Sequence, residues 1–88
     1  MVTIKDHKHR VLHRLKIVRG HLEKIIQMVE SDEYCIDVLH QSLAVQKALK
    51  NIDMVVMEDH LRTCAIDQIK NGQEEKVTRE LSEMYRFK

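Results

Sequence analysis

Two cysteines and a histidine are the residues of this sequence whose types and spacing best suit chemistry. His60 and Cys64 stand four residues apart, so on a helix they share one face and lie about 6 Å apart along its axis. A thiolate and an imidazole at this spacing can bind one metal ion. The pair alone is a weak indication, and it gains weight from the other cysteine, Cys35.

Cys35 precedes His60 by 25 residues, on a stretch that we predict to be one helix. At about 1.5 Å per residue, about 37 Å then separates Cys35 from His60, and the three residues cannot bind the same ion within one chain. If two such helices pack antiparallel about a two-fold axis near Ala48 and Leu49, however, Cys35 of one protomer lies beside His60 and Cys64 of the other. The sequence therefore predicts two equivalent sites across a dimer interface.

Two thiolates and an imidazole form a soft, three-coordinate ligand set. Such a set suits copper(I) and has too few ligands for a closed tetrahedral zinc site. Taken singly, Cys35 and Cys64 would more often be small buried hydrophobes, and His60 a hydrogen-bonded interface histidine. Their convergence across a dyad favours a metal site, and copper(I) is the predicted ligand.

The composition indicates an all-α fold. There is no proline, and Gly20 and Gly72 are the only glycines, while helix-forming residues recur at short intervals. With 88 residues the chain has room for one domain, residues 1–88, and a domain this small gains stability by association with its own copies.

Three helices are predicted: a first over about 5–30, a long central one over roughly 33–70, and a short third one over about 74–86. Ser31, Asp32 and Glu33 would supply the N-cap and first turn of the central helix, and Asn71-Gly72 would end it.

Apolar residues recur on the first two helices at the heptad spacing of packed helices, which predicts a bundle. The two stripes are Val11, Leu15, Val18, Leu22, Ile25 and Val29 on the first helix, and Val38, Val45, Leu49, Ile52 and Val56 on the second. On the third helix Val77, Leu81 and Met84 share a side, followed by Tyr85 and Phe87. Met54 and Met57 are interpreted as core residues.

Charge is distributed unevenly along the chain. Residues 1–30 hold seven Lys/Arg against three Asp/Glu, and residues 31–88 hold eight against eleven. A basic segment can attract phosphate backbones. His9 and His13 lie within it and are interpreted as part of a solvated cationic face.

Several function classes find no support. No apolar run approaches the roughly 20 residues that span a bilayer, and the first ten residues are polar, so we expect a cytoplasmic protein without a membrane partner. A glycine-rich phosphate loop, a nucleophile elbow and a carboxylate pair typical of catalysis are all missing from the sequence. We therefore do not expect an enzyme.

Four segments make the sequence resemble the copper-sensitive operon repressor family over almost its whole length. They are R-L-K-I-V-R-G-H-L at 14–22, M-V-E-S-D-E-Y-C-I-D-V at 28–38, L-A-V-Q at 43–46 and H-L-R-T-C at 60–64. The resemblance implies a copper(I)-responsive transcriptional repressor. It would be an antiparallel four-helix-bundle dimer that assembles into a tetramer, binds GC-rich operator DNA when metal-free, and releases that DNA when copper(I) binds.

The resemblance also implies roles for individual residues. Cys35 would come from one protomer and His60 and Cys64 from its neighbour, while Tyr34 and Glu80 would surround the ligating histidine. No standard helix-turn-helix is visible, so the candidates for DNA contact are basic residues: Lys8, Arg10, Arg14, Lys16, Arg19 and Lys50. Asn51 occupies a position at which the family can carry arginine, which leaves the contact from the central helix open.

Two related functions stay open at this point. Nickel and cobalt sensors of the same superfamily recruit a histidine where this sequence has Thr3, although His7 is close to that position. Persulfide sensors use the two cysteines and lack the histidine, so His60 argues against them without excluding thiol oxidation. A nickel-responsive or persulfide-responsive repressor is therefore the alternative.

Overall fold

A computed structural model describes residues 7–86, and within this range it contains helices and turns and no strand. Helix α1 spans Lys8–Glu30, α2 spans Cys35–His60, α3 spans Ile66–Lys70 and α4 spans Glu74–Arg86. A π-helical turn, Leu61–Ala65, joins α2 to α3. None of the helices described combines the length and apolar character that crossing a membrane requires. The all-α prediction is confirmed.

The third predicted helix is confirmed as α4. The first helix was predicted to start at about residue 5, but α1 begins at Lys8. His7 is the N-cap of α1, whereas residues 5 and 6, Thr3 of the nickel comparison and Phe87 lie outside the described residues.

The turn between α1 and α2 corrects the predicted N-cap. Ser31 follows the last residue of α1, and Asp32 adopts the left-handed conformation with a φ of 55°. The amide of Glu33 donates to the carbonyl of Met28 at 3.0 Å, and that of Asp32 to the carbonyl of Val29 at 3.1 Å, which together form a Schellman motif. These residues therefore end α1 instead of starting α2, whose N-cap is Tyr34 without a side-chain cap bond.

The central helix, predicted to run without interruption over 33–70, differs from the prediction in two ways. The observed helix begins at Cys35 and contains the π turn at Leu61–Ala65. The backbone nevertheless stays right-handed at both junctions, His60 and Ile66. Helices α2 and α3 and the π turn therefore form one continuous rod. The rod ends as predicted, because Gly72 adopts a φ of 77° that a residue without a Cβ reaches easily.

Helices α1 and α2 form an antiparallel hairpin with a narrow core. Val11 and Val18 of α1 and Val45 and Ile52 of α2 are buried together, and the partly buried residues packed against them are Ile25, Ala48, Val55 and Val56. His21 crosses between the helices, where its Nε2–H donates to Gln41 Oε1 at 2.6 Å. Core packing and this hydrogen bond fix the two helices side by side.

Only part of each predicted stripe is buried within the chain. On α1 every second residue of the stripe stays exposed. Leu15 is 39%, Leu22 46% and Val29 58% accessible. On α2 Leu49 is 37% accessible, and Met54, interpreted from sequence as core, is 58% accessible. Residues that share a helical stripe normally face the same packing partner, so this chain leaves one side of its apolar surface uncovered.

Candidate metal centre

His60 and Cys64 occupy the far end of α2 and the π turn that follows. His60 is the last residue of α2 and is partly buried, and Cys64 is 7% exposed with a free thiol. Because the rod continues without a break through both residues, they lie about one turn apart on one face. The structure therefore places the two predicted donors about one turn apart on the rod.

The π turn between the two donors is a feature that the sequence analysis missed. Thr63 Oγ1 donates to the carbonyl of Asp59 at 2.7 Å and lies 3.7 Å from Cys64 Sγ. A hydroxyl bonded to the carbonyl one turn earlier bends a helix and loosens its backbone ladder, and π turns are frequent at functional sites. The threonine between the donors is the residue that could have suggested it.

Cys35 lies at the opposite end of the rod. It is the first residue of α2, its thiol is free and the residue is exposed, and the adjacent Tyr34 is 67% exposed. Among the residues described, no three metal-binding side chains of the His, Cys, Asp and Glu types converge. One chain therefore joins two of the three predicted donors and keeps the third apart.

A groove beside His60 runs between the end of α2 and α4. It has a volume of about 440 Å³ and is lined by Val56, Met57, His60, Glu80, Leu81, Glu83 and Met84. Glu80 thus lines the same groove as His60, whereas Tyr34 is at the other end of the rod. The two residues predicted to surround the histidine are therefore separated in one chain: Glu80 lines the groove beside His60, and Tyr34 lies next to Cys35.

The candidate DNA contacts lie on α1 and the middle of α2. Arg14 is partly buried, and the exposed ones are Lys8, Arg10, Lys16, Arg19 and Lys50. Arg14 lines a shallow groove together with Ile17, Val18, Ala48, Asn51 and Ile52. At about 100° of rotation per residue, Arg10 and Arg14 lie on one side of the buried α1 stripe and Lys8, Lys16 and Arg19 on the other. On one protomer the basic residues of α1 therefore lie on two sides of the helix.

Two further polar residues were not anticipated from the sequence. Asp59 is 5% exposed, and the buried Gln68 Oε1 has no hydrogen-bond partner. Both lie on the rod within one or two turns of Cys64. A buried polar atom without a partner is costly, and among the described residues Gln68 Oε1 is such an atom.

An all-helical chain with a thiol–imidazole pair on one helix and a basic surface on another has the features of a small metal-responsive regulator. Residues 7–86 match the family of metal-sensitive transcriptional repressors, and the chain belongs to that family. The family is regulatory, which confirms that the chain is not an enzyme.

Known relatives of the chain are named for copper. The copper-sensing transcriptional repressor CsoR of Mycobacterium ulcerans (strain Agy99) is 40% identical over 84 residues, which cover 96% of this chain and 72% of the relative. The protein of that name from Bacillus subtilis (strain 168) is 40% identical over 79 residues, 90% of this chain and 78% of the relative.

A solved structure supports the fold assignment. The copper-sensing repressor CsoR with Cu(I) from Geobacillus thermodenitrificans NG80-2 superposes with a TM-score of 0.86 at 32% identity, and the match covers 98% of this chain and 90% of that one. The resemblance drawn from the sequence is therefore confirmed.

Proposed function

We propose that this chain is a copper(I)-responsive transcriptional repressor that binds operator DNA without metal and releases it when copper(I) binds. The observation that carries the proposal is the donor set, in which His60 and Cys64 share a helical face and Cys35 offers a second free thiol. The relatives support copper as the sensed metal, since two are copper-sensing repressors and a third contains Cu(I). Nickel and persulfide are not favoured as alternatives.

The donor chemistry fits copper(I). Two thiols and an imidazole are soft ligands, and the cysteines are free. Cys64 and His60 would hold the ion from one protomer and Cys35 from its partner. When bound, copper(I) supplies the binding energy that favours one arrangement of the protein over another.

The uncovered apolar surface supports an antiparallel dimer. Leu15, Leu22 and Val29 are exposed on the stripe that should face a packing partner, and within residues 7–86 no large side chain is less than 2% exposed. A second copy of the chain would cover this surface and complete the core. We propose a four-helix-bundle dimer, and a tetramer built as a dimer of dimers.

In this dimer the surroundings of the histidine would also be completed across the interface. Tyr34 precedes Cys35 and would arrive with it, while Glu80 already lines the groove beside His60. Groups that hydrogen-bond a metal ligand orient it and tune its affinity. We propose that copper binding draws His60 toward Tyr34 and Glu80 and thereby shifts α4 against the bundle.

The DNA surface is proposed to lie along α1. Lys8, Arg10, Lys16 and Arg19 are exposed there, and Arg14 is partly buried. These residues would contact mainly phosphates, which position a protein on DNA, with Lys50 of α2 as a further contact. Metal sensing and DNA binding thus occupy one domain.

We place the protein in the cytoplasm, because a repressor acts in the compartment that holds its operator DNA.

Arg14 is the basic residue whose removal we expect to weaken DNA binding most clearly, because it lines the groove shared by α1 and α2. Arg14→Gln keeps a long polar side chain and removes the charge. Each lost phosphate contact should reduce the slope of log affinity against log salt by about 0.9. Binding titrations at several salt concentrations measure this slope.

Arg79→Gln is the control for this prediction, since Arg79 is an exposed arginine on α4 outside the proposed DNA surface. It should leave both affinity and slope unchanged. An unchanged slope for Arg14→Gln would place the DNA surface elsewhere.

An electrophoretic shift with and without copper(I) tests the proposed function. DNA that contains the operator, taken from upstream of the chain's own gene, should be retarded by the metal-free protein and released by stoichiometric copper(I) under anaerobic conditions. Nickel(II) should not release it. Retention of the DNA by the copper-loaded protein would contradict the proposal.

A further inference from the structure

Two methionines face the groove beside His60 from different helices. Met57 lies on α2, three residues before His60 and thus on the same face, and Met84 lies on α4. Met57 is partly buried, and Met84 is 58% exposed. The groove is therefore lined by one thioether on a partly buried residue of the helix that carries His60 and by another on an exposed residue of α4.

The chemistry of this groove suits a soft cation. Thioether sulfur is among the ligands that select copper(I), and methionine is flexible enough to adjust to an ion. Glu80 and Glu83 line the same groove, and clefts lined by one sign of charge raise the local concentration of the opposite ion.

We propose that Met57 and Met84 form a capture site for copper(I), which receives the ion from solvent and delivers it to His60 and Cys64. The capture site rests on the proposed copper-sensing function and adds to it a route by which the ion arrives. Its ligand is copper(I) alone, and neither the ion nor the protein changes oxidation state during the transfer. Met57 and Met84 act before the final ligands and are not needed to hold the ion at equilibrium.

Leucine substitutions separate thioether chemistry from packing. Leucine resembles methionine in volume and apolarity, so Met57→Leu and Met84→Leu should keep the fold. Met54→Leu is the matched control, because Met54 is also 58% exposed on α2 but does not line the groove.

The first measurement is the rate of copper(I) capture from a chromogenic copper(I) chelator under anaerobic conditions. The Met57→Leu/Met84→Leu protein should capture the ion about tenfold more slowly. This is the lower end of the effects that residues beyond the direct ligands have at metal sites. Its equilibrium affinity should match that of the unsubstituted chain. Met54→Leu should change neither quantity.

The second measurement observes the thioethers directly. In a Cys64→Ser protein labelled with ¹³C at the methionine methyl groups, copper(I) should shift the resonances of Met57 and Met84 and leave those of Met28 and Met54 in place. An unchanged capture rate in the double leucine variant, or unshifted Met57 and Met84 resonances, would overturn the capture site. Failure of the unsubstituted chain to bind copper(I) tightly would instead overturn the proposed function.

Discussion

Mixing a Cys35→Ser chain with a Cys64→Ser chain should restore copper(I) binding that neither variant has alone. Each single variant lacks one thiolate at every site. We expect its copper(I) affinity to fall by more than the roughly 100-fold that groups hydrogen-bonded to a metal ligand can contribute. In a mixed dimer, Cys35 from one chain meets His60 and Cys64 from the other, so one complete site re-forms. Competition titrations against a copper(I) chelator, before and after the mixture is allowed to exchange subunits, measure the restoration.

The reason for this expectation is the separation of the donors within one chain. Cys35 begins α2, while His60 ends it, and no three metal-binding side chains converge among residues 7–86. A site within one chain would stay broken in both variants, and mixing could not repair it. The control is a mixture in which both chains carry Cys35→Ser, which should remain inactive. Absence of restoration in fully exchanged dimers would exclude the shared site.

Replacing His60 with alanine should separate copper binding from DNA release. Cys35 and Cys64 can still hold the ion, so binding should weaken without disappearing. The imidazole that would connect the ion to Glu80 and α4 is gone, however. Effectors typically change the affinity of a coupled site by about 5- to 150-fold. In this variant we expect copper to leave DNA affinity unchanged, so that the ratio of DNA affinities without and with copper is about 1. DNA binding titrations with metal-free and copper-saturated protein measure this ratio.

His40→Ala provides the comparison for this variant, since His40 is an exposed histidine on the same helix. It should keep normal copper-driven release. The metal-free His60→Ala protein should bind DNA as well as the unsubstituted chain, because His60 is not part of the basic α1 surface. Normal release by copper-loaded His60→Ala would refute the connection through the histidine.

The sequence predicted the helices well because their signals are local. Heptad spacing and the absence of proline indicated long helices, and Asn71-Gly72 marked the end of the rod, where Gly72 has the positive φ of a C-terminal cap. Ser31 and Asp32 were misassigned because capping residues fit either end of a short turn, and the Schellman bonds of Asp32 and Glu33 decided in favour of α1. The π turn, within which Thr63 Oγ1 donates to the carbonyl of Asp59, was missed because apolar spacing does not encode it.

The sequence by itself determined the family and the all-helical fold. It also placed His60 and Cys64 one turn apart, because one helix fixes the relation between residues at that spacing. The tertiary structure decided which half of each apolar stripe is buried, since α1 and α2 pack through Val11, Val18, Val45 and Ile52 and leave Leu15 and Leu22 exposed. It also showed that α4 lies beside His60, so that Glu80 and two methionines share its groove. Contacts between helices depend on how side chains fill the space between them, and periodicity within one helix carries no information about that packing.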